Sequence, residues 1–260
     1  MISTFRLLAS LPRNIKYIGL ASSLKHLIWS LLRRKRVLKV AICHRHVFIR
    51  TNTHDLDVAL STLVDELDPV SRVLPATYDG LIVDAGSYIG TAAIRLAELF
   101  PNAHIVALEP STENYTIAQK NVSAYRSIIL LKAALVPHAN GMALLRNRLT
   151  GEWGYTIVET PLDRSDASPI EECETITLKG ITSRFGGDIG LLKLDIEGGE
   201  EALFRESLDQ VGQIHAVFVE LHDRIARGCT DAFMRFSENR HVYSFGSEKF
   251  LSVREVIRQF

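Results

Sequence analysis

From Leu81 onward the chain repeats one rhythm, an apolar run of strand length followed by a segment with helical periodicity. "GLIVDAG" leads into "TAAIRLAELF" and "HIVALEP" into "ENYTIAQKNV"; "IILLKAAL", "IGLLKLDIEGGE" and "QIHAVFVELHD" continue the series. Apolar runs without polar alternation are strands buried on both faces, and strands that alternate with helices build a mostly parallel sheet with helices on both faces. The pattern excludes all-helical and all-β folds. It predicts an α/β domain whose ligands bind at the carboxyl ends of the strands, near the point where strand order reverses. The polar stretch "PLDRSDASPIEE" reads as a loop within it.

Ahead of the sheet, residues 1–36 read as helical, with Leu7, Leu8 and Leu11 at helix spacing. "VLKVAICHRHVFIR" alternates like a strand pair, and "DVALSTLVDEL" returns to helical periodicity. A helical and hairpin cap is therefore expected over residues 1–75, and the sheet domain over residues 76–260. Charge is distributed unevenly between them. The formal net charge is zero, yet eleven of the 30 Lys and Arg lie before Thr51, and the first acid is Asp55. A basic front with Trp29 and "RRKR" suits a solvated subdomain packed on an acidic body, or peripheral contact with an anionic membrane. Nucleic acid is disfavoured, because aromatics are not interleaved with the bases. "YIGLASSLKHLIWSLL" is broken by Lys25 and His26, short of the ~18 to 20 apolar residues of a spanning helix, and no secretory signal is evident. Cys43, Cys173 and Cys229 are odd in number and form no CxxC pair. The expectation is a reducing, cytoplasmic setting, with the membrane surface as the alternative.

"LIVDAGSYIGT" marks where a ligand would sit. If "LIVD" is a central strand, Gly86 and Gly90 lie in the turn into the next helix, where glycine allows positive φ and close approach to the main chain. A dinucleotide would ask for G-x-G-x-x-G, but Tyr88 stands at the second glycine. S-adenosylmethionine carries no phosphate and asks only for room beside the turn. Glu109, 25 positions beyond Asp84, ends the next strand, where an acid accepts hydrogen bonds from ribose hydroxyls. The alternative reading of that carboxylate is a helix cap.

Two further strand ends carry charge. "LLKLDIEGGE" sets Lys193, Asp195 and Glu197 at alternate positions, with Glu197 and Glu200 flanking a glycine pair. Charge entering a buried strand needs a partner or a purpose. "AVFVELHDR" ends with Glu220 and His222 on one face, and the alternative for His222 is a structural histidine.

Taken in order, "IVDAGSYIGTAAIRLAELFPNAHIVALEPSTENYTIAQKNV", "AALVPHANGMALL", "GEWGYTIVE", "ETITLKGI", "LLKLDIEGGE" and "VELHDRIARGC" resemble the FkbM family of S-adenosylmethionine-dependent methyltransferases. The likeness runs from about residue 37 to the end. It implies a class I methyltransferase (Rossmann-like) fold with a sheet of about seven strands, and O-methylation of a hydroxyl, often of a sugar in a glycan, polysaccharide or natural product. Family members usually carry asparagine where Tyr88 stands. The cofactor side then comprises Asp84, Gly86, Ser87, Tyr88, Gly90, Glu109 and Pro110.

Methyl transfer from a sulfonium is an in-line displacement, so alignment and exclusion of water matter most. A sugar hydroxyl also needs its proton removed. His222 is the first candidate for that base, with Glu220 or Asp195 orienting the ring or sharing the role. In the alternative, Asp195, Glu220 and His222 hold a divalent cation, although one histidine and no dense acid cluster argue against it. The turn "GEWGYT" is a candidate cover for a small-molecule or glycan acceptor. Competing readings are an NAD-dependent oxidoreductase and a non-catalytic protein on a methyltransferase-like fold.

Overall fold

The computed structural model describes residues 4–138, 141–147, 152–157 and 168–255. Helices α1 (Thr4–Ala9), α2 (Leu11–Ile18) and α3 (Leu20–Leu31) precede an antiparallel hairpin of β1 (Val37–Ile42) and β2 (Arg45–Arg50), then α4 (Asp55–Ser61). Beyond them lie β3 (Leu81–Ala85), α5 (Thr91–Leu99), β4 (His104–Leu108), α6 (Thr112–Val122) and β5 (Ile128–Leu131). β6 (Ala133–Leu135), β7 (Met142–Asn147), β8 (Tyr155–Thr156) and β9 (Ser168–Ile176) then form a separate four-stranded sheet. The chain returns through β10 (Ile189–Leu194) and β11 (Ala216–Glu220) to an antiparallel pair, β12 (His241–Phe245) and β13 (Lys249–Val253).

The main sheet has seven strands in the order β12-β13-β11-β10-β3-β4-β5. Five strands, β11, β10, β3, β4 and β5, are parallel, and β13 runs antiparallel to β11. Strand order reverses between β3 and β10. Both faces are covered, as continuous apolar strands require. Leu81, Val83 and Ala85 pack on the side of the later helices, whereas Ile82 faces a core that also holds Val40, Ile42, Val47 and Ile49 of the hairpin. The cap and the sheet thus share one core, with no break in packing near residue 75. Two sequence expectations are corrected. "IILLKAAL" is not one strand: it divides at Lys132, whose ammonium pairs with Glu171 3.3 Å away, so β5 and β6 enter different sheets. The end of "PLDRSDASPIEE" is strand rather than loop, since β9 starts at Ser168 and pairs with both β6 and β7.

Candidate active site

The ends of β3 and β10, next to each other at the reversal, carry the first part of the site. Asp84 and Lys193 are register partners on the cap-facing side, so their side chains meet as a cross-strand pair. Lys193 Nζ lies 3.2 Å from Asp84 Oδ1 and 3.6 Å from Asp195 Oδ2, and donates to the Gly86 carbonyl at 2.9 Å. Burial alone would lower the Lys193 pKa, but Asp84 and Asp195 outweigh it and hold the ammonium above its ordinary range. Asp84 was expected among the cofactor contacts. It is fully buried beneath the cavity instead, where it fixes Lys193 and through it the turn.

The glycine turn is as tight as its sequence implies, for a reason that lies in the protein. At Gly86, with φ +80°, a Cβ would fall 1.7 Å from the Asp195 carbonyl oxygen. The missing side chain is required by the neighbouring strand end. Gly90, with φ +81°, starts α5, and a Cβ there would lie 2.9 Å from Val122 Cγ1. The N–H groups of Gly86 and Ser87 donate to Leu108 O, that of Tyr88 to Glu109 Oε2 at 2.8 Å, and that of Gly90 to Ser87 O. These four donors are thus committed within the protein.

Tyr88 has φ 52°, in the left-handed region that asparagine tolerates better than tyrosine. Its phenol turns toward the cap and donates to Asp55 Oδ1 at 2.5 Å. Asp55 accepts from the Arg50 side chain, Arg50 donates to Asn114 Oδ1, and Asn114 donates to Glu109 Oε1. Since Glu109 also accepts from the Tyr88 N–H, the five residues close a hydrogen-bonded ring between cap and turn. Burial pushes the Glu109 carboxyl up to about 7, against the opposing pull of the Ser111 N–H, Asn114 and the Tyr88 N–H.

An acid-rich cluster forms the other half. Glu200 is fully buried and accepts from the N–H groups of Ile196 and Gly198 at 3.1 and 2.9 Å, leaving Oε1 2.9 Å from His222 Nδ1. The opposite ring nitrogen, Nε2, is buried without a hydrogen-bond partner. It lies 3.6 Å from Glu197, 3.7 Å from Asp195 and 4.0 Å from Glu220. Burial lowers the His222 pKa, but the hydrogen bond to Glu200 and the surrounding carboxylates carry it up to about 9. With no ion bound, that shift favours the protonated ring over a free base near neutrality. Burial pushes Glu197 up to about 7, and raises Glu220, helped by Asp195. Asp195 moves the other way: Lys193 and His222 outweigh burial and lower it. The compact donor set is Asp195, Glu197 and His222, with ligand atoms within 4.8 Å of one another. Glu220, expected in that set, stands at the rim and pairs with Lys249 at 3.3 Å.

One cavity of about 380 Å³ joins the two halves, within the size range of small-molecule sites. Gly86, Ser87, Tyr88, Glu109 and Pro110 wall one end, and Asp195, Glu197 and Glu220 the other. Gly90 and His222 stand behind the wall. Of the "GEWGYT" turn, Gly151 lies outside the described residues, while Glu152 and Tyr155 do line the cavity. The spacing of charges had singled out Lys193, Glu197 and Glu200 without assigning them roles. Nothing in sequence signalled Arg50, Asp55 or Lys249. Arg50 and Asp55 pair with each other, but what ties them to the site, Asn114 and Tyr88, is distant in the chain, as are Glu66 and Glu220 for Lys249.

A seven-stranded sheet of this order, with a glycine turn and a following strand-end acid at its reversal point, defines a class I S-adenosylmethionine-dependent methyltransferase. The chain belongs to the FkbM methyltransferase family: the family model described as "Methyltransferase FkbM domain" matches residues 84–259. It is also 36% identical over 58 residues to the ribosomal RNA small subunit methyltransferase H of Thermosipho melanesiensis, covering 22% of this chain and 20% of that protein. The chain thus spans about a fifth of that relative's length. Among solved structures it is similar to a SAM-dependent methyltransferase from Aquifex aeolicus, with TM-score 0.40, 11% identity, and 75% and 90% of the two chains covered. An rRNA methylase from Streptococcus thermophilus compares at TM-score 0.41 and 11% identity, covering 72% and 91%.

Proposed function

We propose that this chain is an O-methyltransferase that transfers the methyl group of S-adenosylmethionine to a hydroxyl of a sugar in a glycan, polysaccharide or glycosylated natural product. The observation that carries this reading is the single cavity joining the Gly86 and Glu109 end to the acid cluster. The residues present fit the cofactor. Glu109 faces the cavity, the turn demands no phosphate, and a cavity rich in carboxylates favours a sulfonium. The same acidity disfavours a polyanionic acceptor such as RNA. Three free cysteines accord with action in the cytoplasm.

A divalent cation at Asp195, Glu197 and His222 belongs to the proposal. One unpartnered imidazole nitrogen, held in orientation by Glu200, plus two carboxylates is a donor set that suits manganese, iron or zinc better than magnesium. When bound, such an ion supplies a Lewis acid that acidifies a hydroxyl. Glu220, held by Lys249, would be placed to accept the proton of the acceptor hydroxyl. Lys193 holds the turn and Asp195 at a fixed distance, so that donor and acceptor align.

Calorimetry tests the cofactor: S-adenosylmethionine should bind at least ~10-fold more weakly to Glu109→Ala, and NAD should not bind. Transfer of labelled methyl to saccharides in alkali-stable linkage supports O-methylation, whereas label found only on RNA or protein overturns it. Chelation should abolish transfer and Mn²⁺ restore it; full activity after chelation removes the ion and leaves the rest of the reading standing.

A further inference from the structure

Helix α3 is built inside out. Its buried positions are Ser23, His26 and Ser30, whereas Leu20, Leu24, Ile28 and Leu31 are 57%, 41%, 52% and 44% exposed. Spacings of four, four and three residues put those four side chains on one stripe of the helix. α1 adds Phe5, 83% exposed, and Leu8, 52% exposed. Hydrophobic burial against the body would select the opposite orientation. The polar face is nevertheless tied to the body: Ser30 Oγ accepts from the Asn52 N–H at 3.0 Å, whereas Ser23 Oγ bonds within the helix, to Gly19 O at 2.7 Å. The buried Ser23, His26 and Ser30 face, with the Ser30 bond to Asn52, leaves the apolar stripe outward.

Charge decides what covers it. Lys25 sits on α3 itself, Arg33 and Arg34 follow its end, and all three are exposed without an ion-pair partner among the described residues. Arg13 and Lys35 of the cap, by contrast, are matched, by Asp57 and by Glu113 and Glu152. A second copy seated on the stripe would bring like charges together, since no acid occurs before Asp55. An anionic lipid surface supplies the opposite charge and takes up the apolar side chains at the headgroup boundary. No described helix is long and apolar enough to cross a membrane. We propose that α1 and α3 form an interfacial anchor that lies on an anionic phospholipid membrane. Arg6 of α1 lines the active-site cavity, so docking brings the cavity rim to the lipid surface, where a membrane-borne acceptor would meet it.

Co-sedimentation of the full chain with vesicles tests this, comparing phosphatidylcholine alone with a phosphatidylcholine and phosphatidylglycerol mixture. Binding should be ~10-fold or more tighter to the anionic vesicles and should weaken in high salt. Leu24→Asp with Ile28→Asp, and separately Arg33→Glu with Arg34→Glu, should each lower it by a similar factor. Both pairs are exposed, so an unchanged thermal midpoint and unchanged S-adenosylmethionine affinity separate lost docking from misfolding. Failure of the wild-type protein to bind anionic vesicles, or equal binding by both variants, overturns the proposal. A dimer that Leu24→Asp with Ile28→Asp converts to monomer would overturn it too, by assigning the stripe to a second copy.

Discussion

Tyr88 concentrates the residue-scale argument, because a bulky side chain at φ 52° persists only where its surroundings compensate. The compensation is the phenol on buried Asp55 and the Arg50 guanidinium 5.5 Å from the ring centre. Tyr88→Phe keeps the strain and removes the donor, so it should destabilise the fold by ~1 to 3 kcal/mol, read from urea unfolding midpoints. Glu109 makes a second prediction at this scale. Its folded value is about 7 against an ordinary 4.5, so folding takes up a proton between those values. Stability from this group is therefore lost as pH rises through that window, by on the order of 3 kcal/mol. In the proposed reading ribose hydroxyls donate to the ionised carboxylate, so S-adenosylmethionine should bind up to ~10-fold more tightly at pH 8 than at pH 6. Calorimetry at the two pH values checks this, and Glu109→Ala should flatten the difference.

At the scale of elements, the site depends on one strand pair. Lys193 of β10 is the only described cation within ion-pair distance of fully buried Asp84 of β3. Lys193→Met should therefore cost ~3 to 5 kcal/mol, since it leaves a buried carboxylate unpaired, and thermal and urea unfolding would reveal the loss. The same strands explain what could be read in advance. β3, β4, β10 and β11 are buried on both faces, so their apolar runs and charged ends were plain in sequence, and with them Gly86, Glu109, Asp195 and Glu220. The second sheet was hidden, because β7 and the described part of β9 are only partly buried, so their runs are not continuously apolar. Helix Glu200–Glu206 was hidden in its role: nothing in "EGGE" says that Glu200 turns back onto its own loop and fixes His222. Since an ion would displace the His222 proton, Mn²⁺ should raise the unfolding temperature more at pH 8 than at pH 6, and His222→Gln should abolish that rise.

For the whole molecule, the question is whether the cap is an appendage or part of the enzyme's core. Val40, Ile42, Val47 and Ile49 are at most 1% exposed and share a core with Ile82, Ile89 and Leu191 of the sheet domain. At ~1.5 to 3 kcal/mol for each buried side chain, these four alone contribute ~6 to 12 kcal/mol, comparable with the ~5 to 15 kcal/mol of net stability in an ordinary domain. Arg50 and Asp55 also close the ring that holds Tyr88 and Glu109 in place. A chain starting at residue 76 should therefore fail to fold, although the family match itself begins only at Asp84. A chain starting at residue 33 keeps the hairpin, α4 and the ring, and loses only Leu7 and Ile18 from the buried apolar set of α1 to α3. It should stay folded with a lowered melting temperature, bind S-adenosylmethionine within ~3-fold of the full chain, and fail to sediment with anionic vesicles. Circular dichroism, calorimetry and co-sedimentation on the two truncations would place the boundary between core and anchor at the start of the hairpin, and a folded, cofactor-binding chain from residue 76 would refute the shared core.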